Sequence, residues 1–157
     1  MTGSTKKSEI HDQLTVAMKA GDKARVGTLR MFLSAIRYRE DELGHELSDD
    51  EVQEVAGKEV KKRTESIEAF EGAGRTELAD KEKAERDILA PWAPTQLDDA
   101  TVDALVDEAL AATGATSVKE LGKVMGFVMG KAKGQVDGTL VQQKVRARLE
   151  DPAADAP

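Results

Sequence analysis

Apolar residues along this chain recur three and four positions apart and nowhere alternate over a strand-length run, which predicts helices throughout. Seven are expected, in an all-α fold. The first, about Ser4 to Ala20, puts Ile10, Leu14, Ala17 and Met18 on one face and stops at Gly21. Asp22 caps the second, whose stripe of Val26, Leu29, Leu33 and Ile36 ends at Gly44. The third opens on Ser48-Asp49-Asp50-Glu51, in which Ser48 and Glu51 can satisfy each other's free amides. It carries Val52, Val55, Ala56, Val60, Ile67 and Phe70 and reaches Gly72 and Gly74. The fourth, from about Thr76, is mostly Glu and Lys until Ile88, Leu89 and Trp92.

Pro91 and Pro94 then interrupt the pattern, since two prolines three apart cannot both lie inside a helix. Three shorter helices follow. Asp98 to Ala112 carries Val102, Leu105, Val106 and Ala109; Ser117-Val118-Lys119-Glu120, a second capping box, opens a helix with Leu121, Val124, Met125 and Val128. Gly134 ends or bends that segment, and Asp137 or Gly138 starts a last helix with Leu140, Val141, Val145 and Leu149 inside. The expected organisation is a helical domain of about four helices over 1–92, a proline-containing linker over 93–97, a three-helix domain over 98–150 and a frayed tail over 151–157.

A net charge of −7 argues against a protein that coats a polyanion over its whole surface. Segment by segment the sign changes. Asp98, Asp99, Asp103, Asp107 and Glu108 meet no base between positions 97 and 112, a local −5. From 119 to 148, Lys119, Lys123, Lys131, Lys133, Lys144, Arg146 and Arg148 face Glu120 and Asp137; seven less two is +5. Further basic runs are Lys19, Lys23, Arg25, Arg30, Arg37 and Arg39 against Asp22, and Lys58, Lys61, Lys62 and Arg63 against Glu59. A charge run is by default a solvated helix face.

Glycines stand every fourth residue at Gly122, Gly126, Gly130, Gly134 and Gly138, with Lys123, Lys131 and Lys133 between them. Each disfavours a helix interior by up to about 1 kcal/mol, so something needs close backbone approach. Either a neighbouring helix packs along the small-residue row, or a phosphate backbone approaches amides and ammonium groups there. Both readings fit the spacing. A P-loop is excluded, because no GxxxxGK[ST] follows a strand.

The chain has no cysteine, and His11 and His45 are far apart, so a thiol nucleophile, a thiolate or histidine metal site and a histidine triad are excluded or disfavoured. No metal and no cofactor are expected. Five aromatic residues are too few for a single-strand stacking platform. No stretch approaches the roughly 20 apolar residues of a membrane span, and no apolar run follows Lys6 and Lys7. A cytoplasmic protein without a membrane partner is expected.

Arg25-Val26-Gly27-Thr28-Leu29-Arg30, the run from Glu59 to Phe70 with Lys61, Lys62 and Arg63, Arg75 with Glu77-Leu78, and Pro94-Thr95-Gln96-Leu97 together resemble the YqeY family. Gly122-Lys123-Val124-Met125-Gly126, with Met129, Lys131, Lys133-Gly134-Gln135 and Asp137-Gly138, extends the resemblance over most of positions 17 to 149. The carboxy-terminal part is also similar to the tail of GatB, the B subunit of glutamine-dependent aspartyl/glutamyl-tRNA amidotransferases. Gly130 stands where many relatives carry proline, Gln135 where they carry arginine and Trp92 where tyrosine is usual.

What this resemblance implies is a two-part helical protein associated with tRNA, with Lys131, Lys133, Gly134 and Gln135 as RNA-contact positions. Lys123 and the run Lys61, Lys62 and Arg63 join them as basic candidates. The family carries the label of a carbon–nitrogen ligase with glutamine as amide donor, yet the residues do not supply that reaction. Amide release needs an activated nucleophile. Ser4, Ser8, Ser34, Ser48, Ser66 and Ser117 all fall at predicted helix starts or on helix faces. The expected role is therefore a tRNA-associated accessory protein that does not catalyse alone, the alternative being an adaptor docking on an amidotransferase or other translation enzyme.

Overall fold

A computed structural model describes residues 4–150. Helix starts and stops follow local chemistry. Ser4 caps α1 (Thr5–Ala20) by accepting from the Lys7 amide, and Gly21, at φ +70°, ends it in the left-handed conformation glycine tolerates. Asp22 caps α2 (Lys23–Leu43), accepting from the Arg25 amide. The box at Ser48 and Glu51 is formed on both sides and opens α3 (Asp49–Gly72), after which α4 (Thr76–Leu89) runs into a short 3₁₀ turn at Ala90–Trp92. α5 (Asp99–Thr113) starts on Asp98, α6 (Leu121–Lys131) follows a 3₁₀ turn at Val118–Glu120, and α7 (Gly138–Leu149) starts on Asp137. The described residues contain these seven α-helices and no strand, the all-α architecture that the periodicity predicts. The tail over 151–157 lies outside the described residues.

Contacts divide the chain between Pro94 and Thr95. In the first unit Ile10, Leu29, Phe32, Ile36, Leu47, Val52, Leu89 and Trp92 form one core, with the Phe32 and Trp92 rings 5.9 Å apart and tilted by 54°. Trp92 is thus core. Met18, expected on the buried face of α1, is 52% exposed, with the Arg30 guanidinium 3.9 Å from its sulfur. Asp49, the first residue of α3, accepts from the Ser4 hydroxyl and the Lys6 amide, joining the starts of α1 and α3.

The second unit buries Val102, Val106, Ala109, Val124, Val128, Val141, Val145 and Leu149. The proline-containing segment is claimed from both ends. Ala93 packs on the first core and Pro94 approaches Gly57 of α3. Leu97, by contrast, donates its amide to the Gln135 carbonyl at 2.8 Å, within the second unit.

Candidate nucleic-acid interface

On α6 the buried residues are Val124 and Val128, with Ala132 following at the same spacing. At 100° per residue, Gly122, Gly126 and Gly130 fall on the opposite side. All three are exposed, and a Cβ built on any of them would meet nothing within 4 Å. This row does not pack against another helix of its unit, which removes one of the two readings of the glycine spacing. Gly57 shows what an internal reason looks like, since a Cβ there would stand 3.1 Å from the Pro94 ring.

Lys123 stands exposed beside the row, and Met125, Phe127 and Met129 border it half-buried. Lys119, on the preceding turn, is also exposed. Glu120 accepts from the Thr116 and Ser117 amides, which hold its carboxyl below the usual range.

The turn after α6 is held in place from a distance. Gly134 takes φ +75°, the Gln135 amide donates to the Ala132 carbonyl, and the Gln96 side chain donates to the Gly134 carbonyl at 2.8 Å. Gln135 donates in turn to the Thr95 carbonyl at 3.4 Å. Two stretches forty residues apart, Thr95-Gln96-Leu97 and Lys133-Gly134-Gln135, therefore form one structure. Gln135, expected to contact RNA, ties the chain to itself here, while Lys133 and Gly134 are exposed on the turn.

The local charges of −5 and +5 prove to be partners. Lys144 donates to Asp103 at 2.8 Å and lies 2.9 Å from Asp99, and those two hydrogen bonds raise its pKa. Arg148 pairs with Asp107 and with Asp103 at 3.6 Å, Lys131 with Glu108, and Arg146 with Glu150 at 3.9 Å. Lys131 also lies 5.1 Å from the Phe127 ring centroid. The helix that carries the acids is packed against those that carry the bases. What extends from this unit uncancelled by α5 is a smaller cation set centred on Lys119 and Lys123.

In the first unit, Lys61 is exposed and Lys62 pairs with Glu59 at 3.1 Å. Arg63 corrects the sequence expectation of a surface contact. It is 6% exposed and donates to both the carboxylate and the carbonyl of Glu59 at 3.0 Å, with Glu85 3.6 Å from Nε. Its place one turn after Glu59 on the inner side of α3 turns a basic residue into an internal tie between α3 and α4. The signal that distinguishes it from Lys61 and Lys62 is its position four residues before Ile67 and seven after Ala56, on the buried stripe.

No group of three or more His, Asp or Glu able to hold a metal occurs among the described residues, and no described helix is long and apolar enough to cross a membrane. A family model described as Yqey-like protein matches residues 7–149. An uncharacterized protein of Schizosaccharomyces pombe is 35% identical over 85 residues, which are 54% of this chain and 69% of that protein.

Proposed function

The chain belongs to the Yqey-like protein family, and from that membership we propose a tRNA-associated accessory protein that contacts RNA through α6 and the turn after it, without transferring amides itself. The observation that carries the reading is the open glycine row. Exposed glycine inside a helix is destabilising by roughly 0.5–1 kcal/mol relative to alanine, and nothing within the unit needs Gly122, Gly126 or Gly130 bare. The bare strip serves a body outside the unit that comes within contact distance of the helix backbone. Exposed Lys119, Lys123 and Lys133 around it favour a phosphate backbone as that body.

Catalysis finds no support in the side chains. There is no cysteine, and Ser4 and Ser48 are committed to helix starts by hydrogen bonds. A second reading, docking on a translation or amidotransferase enzyme, is favoured by Met125, Phe127 and Met129 along the same row, since small residues bordered by apolar ones suit a partner helix.

Gly126→Leu separates the cases. A Cβ at this position meets nothing within 4 Å, and unchanged far-UV circular dichroism establishes that the variant is folded, while the larger side chain blocks the strip. A gel shift with bulk tRNA that is lost in Gly126→Leu and in Lys123→Glu/Lys133→Glu supports RNA contact. Unchanged tRNA binding by both variants refutes it. A protein partner captured from lysate that survives RNase and is lost in Gly126→Leu supports docking instead.

A further inference from the structure

The solvent face of α2 carries three cations one heptad apart, Lys23, Arg30 and Arg37. Seven residues make almost two turns, so neighbours stand about 10.5 Å apart on one side of the helix and the ladder spans about 21 Å. All three side chains are exposed, and none has a carboxylate within 4.0 Å among the described residues. Several other bases of this unit are committed: Lys7 to Glu40, Arg39 to Glu42, Arg63 to Glu59 and Lys83 to Glu71. In the second unit, by contrast, the acids of α5 pair with Lys131, Lys144 and Arg148.

Between the rungs stand Gly27 and Ser34, both exposed, and a Cβ at Gly27 would meet nothing within 4 Å. The helix backbone is as open here as on α6. Tyr38, next to Arg37, is 68% exposed. Beside the ladder, α1 and α2 leave an open groove of about 500 Å³ with His11, Ser34 and Arg37 on its walls and the Lys7–Glu40 pair at one end. Asp41 is the one acid on this strip of α2, so the face keeps a positive balance.

We propose that this face of α2 is a second RNA-contacting surface, binding the sugar–phosphate backbone along the Lys23, Arg30 and Arg37 ladder. Guanidinium groups match phosphate geometry, Gly27 and Ser34 let the strand lie close, and the open Tyr38 ring stacks an unpaired base. Met18 and Tyr38 supply too little apolar surface for entry into a bilayer, so a lipid surface does not suit it. The proposal rests on the RNA reading given above but concerns residues of the other unit, so a variant of each surface tells the two apart.

The test titrates the full chain with bulk tRNA over a salt series, comparing Lys23→Gln/Arg30→Gln/Arg37→Gln with Lys119→Gln/Lys123→Gln/Lys133→Gln. All six side chains are exposed, and unchanged far-UV circular dichroism establishes that both variants are folded. Three phosphate contacts account for a salt slope of about 2.7, or about 40-fold in affinity over a fourfold salt range. The α2 variant is expected to lose that dependence. Wild-type affinity and slope in the α2 variant overturn the proposal, whatever the other variant does. Loss in the α2 variant alone upholds it while refuting the α6 reading. Absence of wild-type binding at low salt refutes both. Binding of polyglutamate with the affinity and the same α2 dependence seen for tRNA overturns it too, by showing a surface for acidic protein.

Discussion

Gly126→Ala should raise the stability of the second unit, although it alters one of the residues on which the functional reading depends. Gly126 lies in the middle of α6, where alanine is favoured over glycine by about 0.8–1.0 kcal/mol. The added methyl meets no atom within 4 Å, so no packing penalty offsets the gain. Gly122 and Gly130 lie one residue inside the ends of α6, where fraying reduces the gain to roughly half. The three together therefore stabilise by about 2 kcal/mol. For a unit of this size 1 kcal/mol moves the melting midpoint by about 4–8 °C, so Gly126→Ala alone is visible. The assay is thermal melting of the intact chain by far-UV circular dichroism, with hydrogen exchange at the Val124 and Val128 amides locating the change in α6. Gly57→Ala is the internal control, because its methyl is placed 3.1 Å from the rigid Pro94 ring and the propensity gain is offset. A lowered midpoint for Gly126→Ala would refute the reasoning, since it would mean that the row is covered in the free protein.

Three further outcomes follow from the ion pairs. Arg63→Ala leaves the buried Glu59 carboxylate with Lys62 as its one remaining ion-pair partner among the described residues and should destabilise the first unit by about 1.5–3 kcal/mol, read from denaturant unfolding followed by the fluorescence of buried Trp92. Asp99→Asn/Asp103→Asn/Asp107→Asn releases Lys144 and Arg148, and tRNA binding should tighten with a steeper salt slope, read from a salt titration, while the far-UV circular dichroism stays that of the folded chain. Burial works to raise the Glu40 pKa, but the Leu47 amide and the Lys7 ammonium outweigh it and hold the carboxyl below its ordinary value. Its folded-state pKa being depressed, the stabilisation is present above the unfolded value and fades as pH falls through the folded one. Glu40→Gln should therefore flatten the acid limb of a stability-against-pH curve below about pH 4.5, measured by urea unfolding.

Helix positions were legible in the chain because the signals are local. Ser4, Asp22, Ser48, Asp98 and Asp137 each sit within three residues of the amide they accept from, and Gly21, Gly44 and Gly114 each end a helix at positive φ. The period of 3.6 then assigns most of the core, from Leu29 and Ile36 to Val145 and Leu149. Met18 and Leu140, both expected inside and both exposed, escaped because periodicity gives a direction on the helix but not whether another element covers it.

The candidate site was legible only as a list of residue types. That Lys123 is basic and Gly126 has no side chain belongs to the sequence alone. Which charges cancel does not, because Lys144 and Asp103 are 41 residues apart and meet only when α7 packs beside α5. The same holds for Gln135, drawn to Thr95 across 40 residues, and for Arg63, whose neighbours on α3 and α4 decide that a cation goes inside. Local capping and period depend on contacts within a few residues, and so the sequence by itself determined seven helices, most of their ends and most of their buried faces. Net electrostatics and backbone exposure depend on what stands opposite, and only the tertiary structure decided that the strongest charge contrast is neutralised within its own unit while a glycine row on α6 and a cation ladder on α2 are left open.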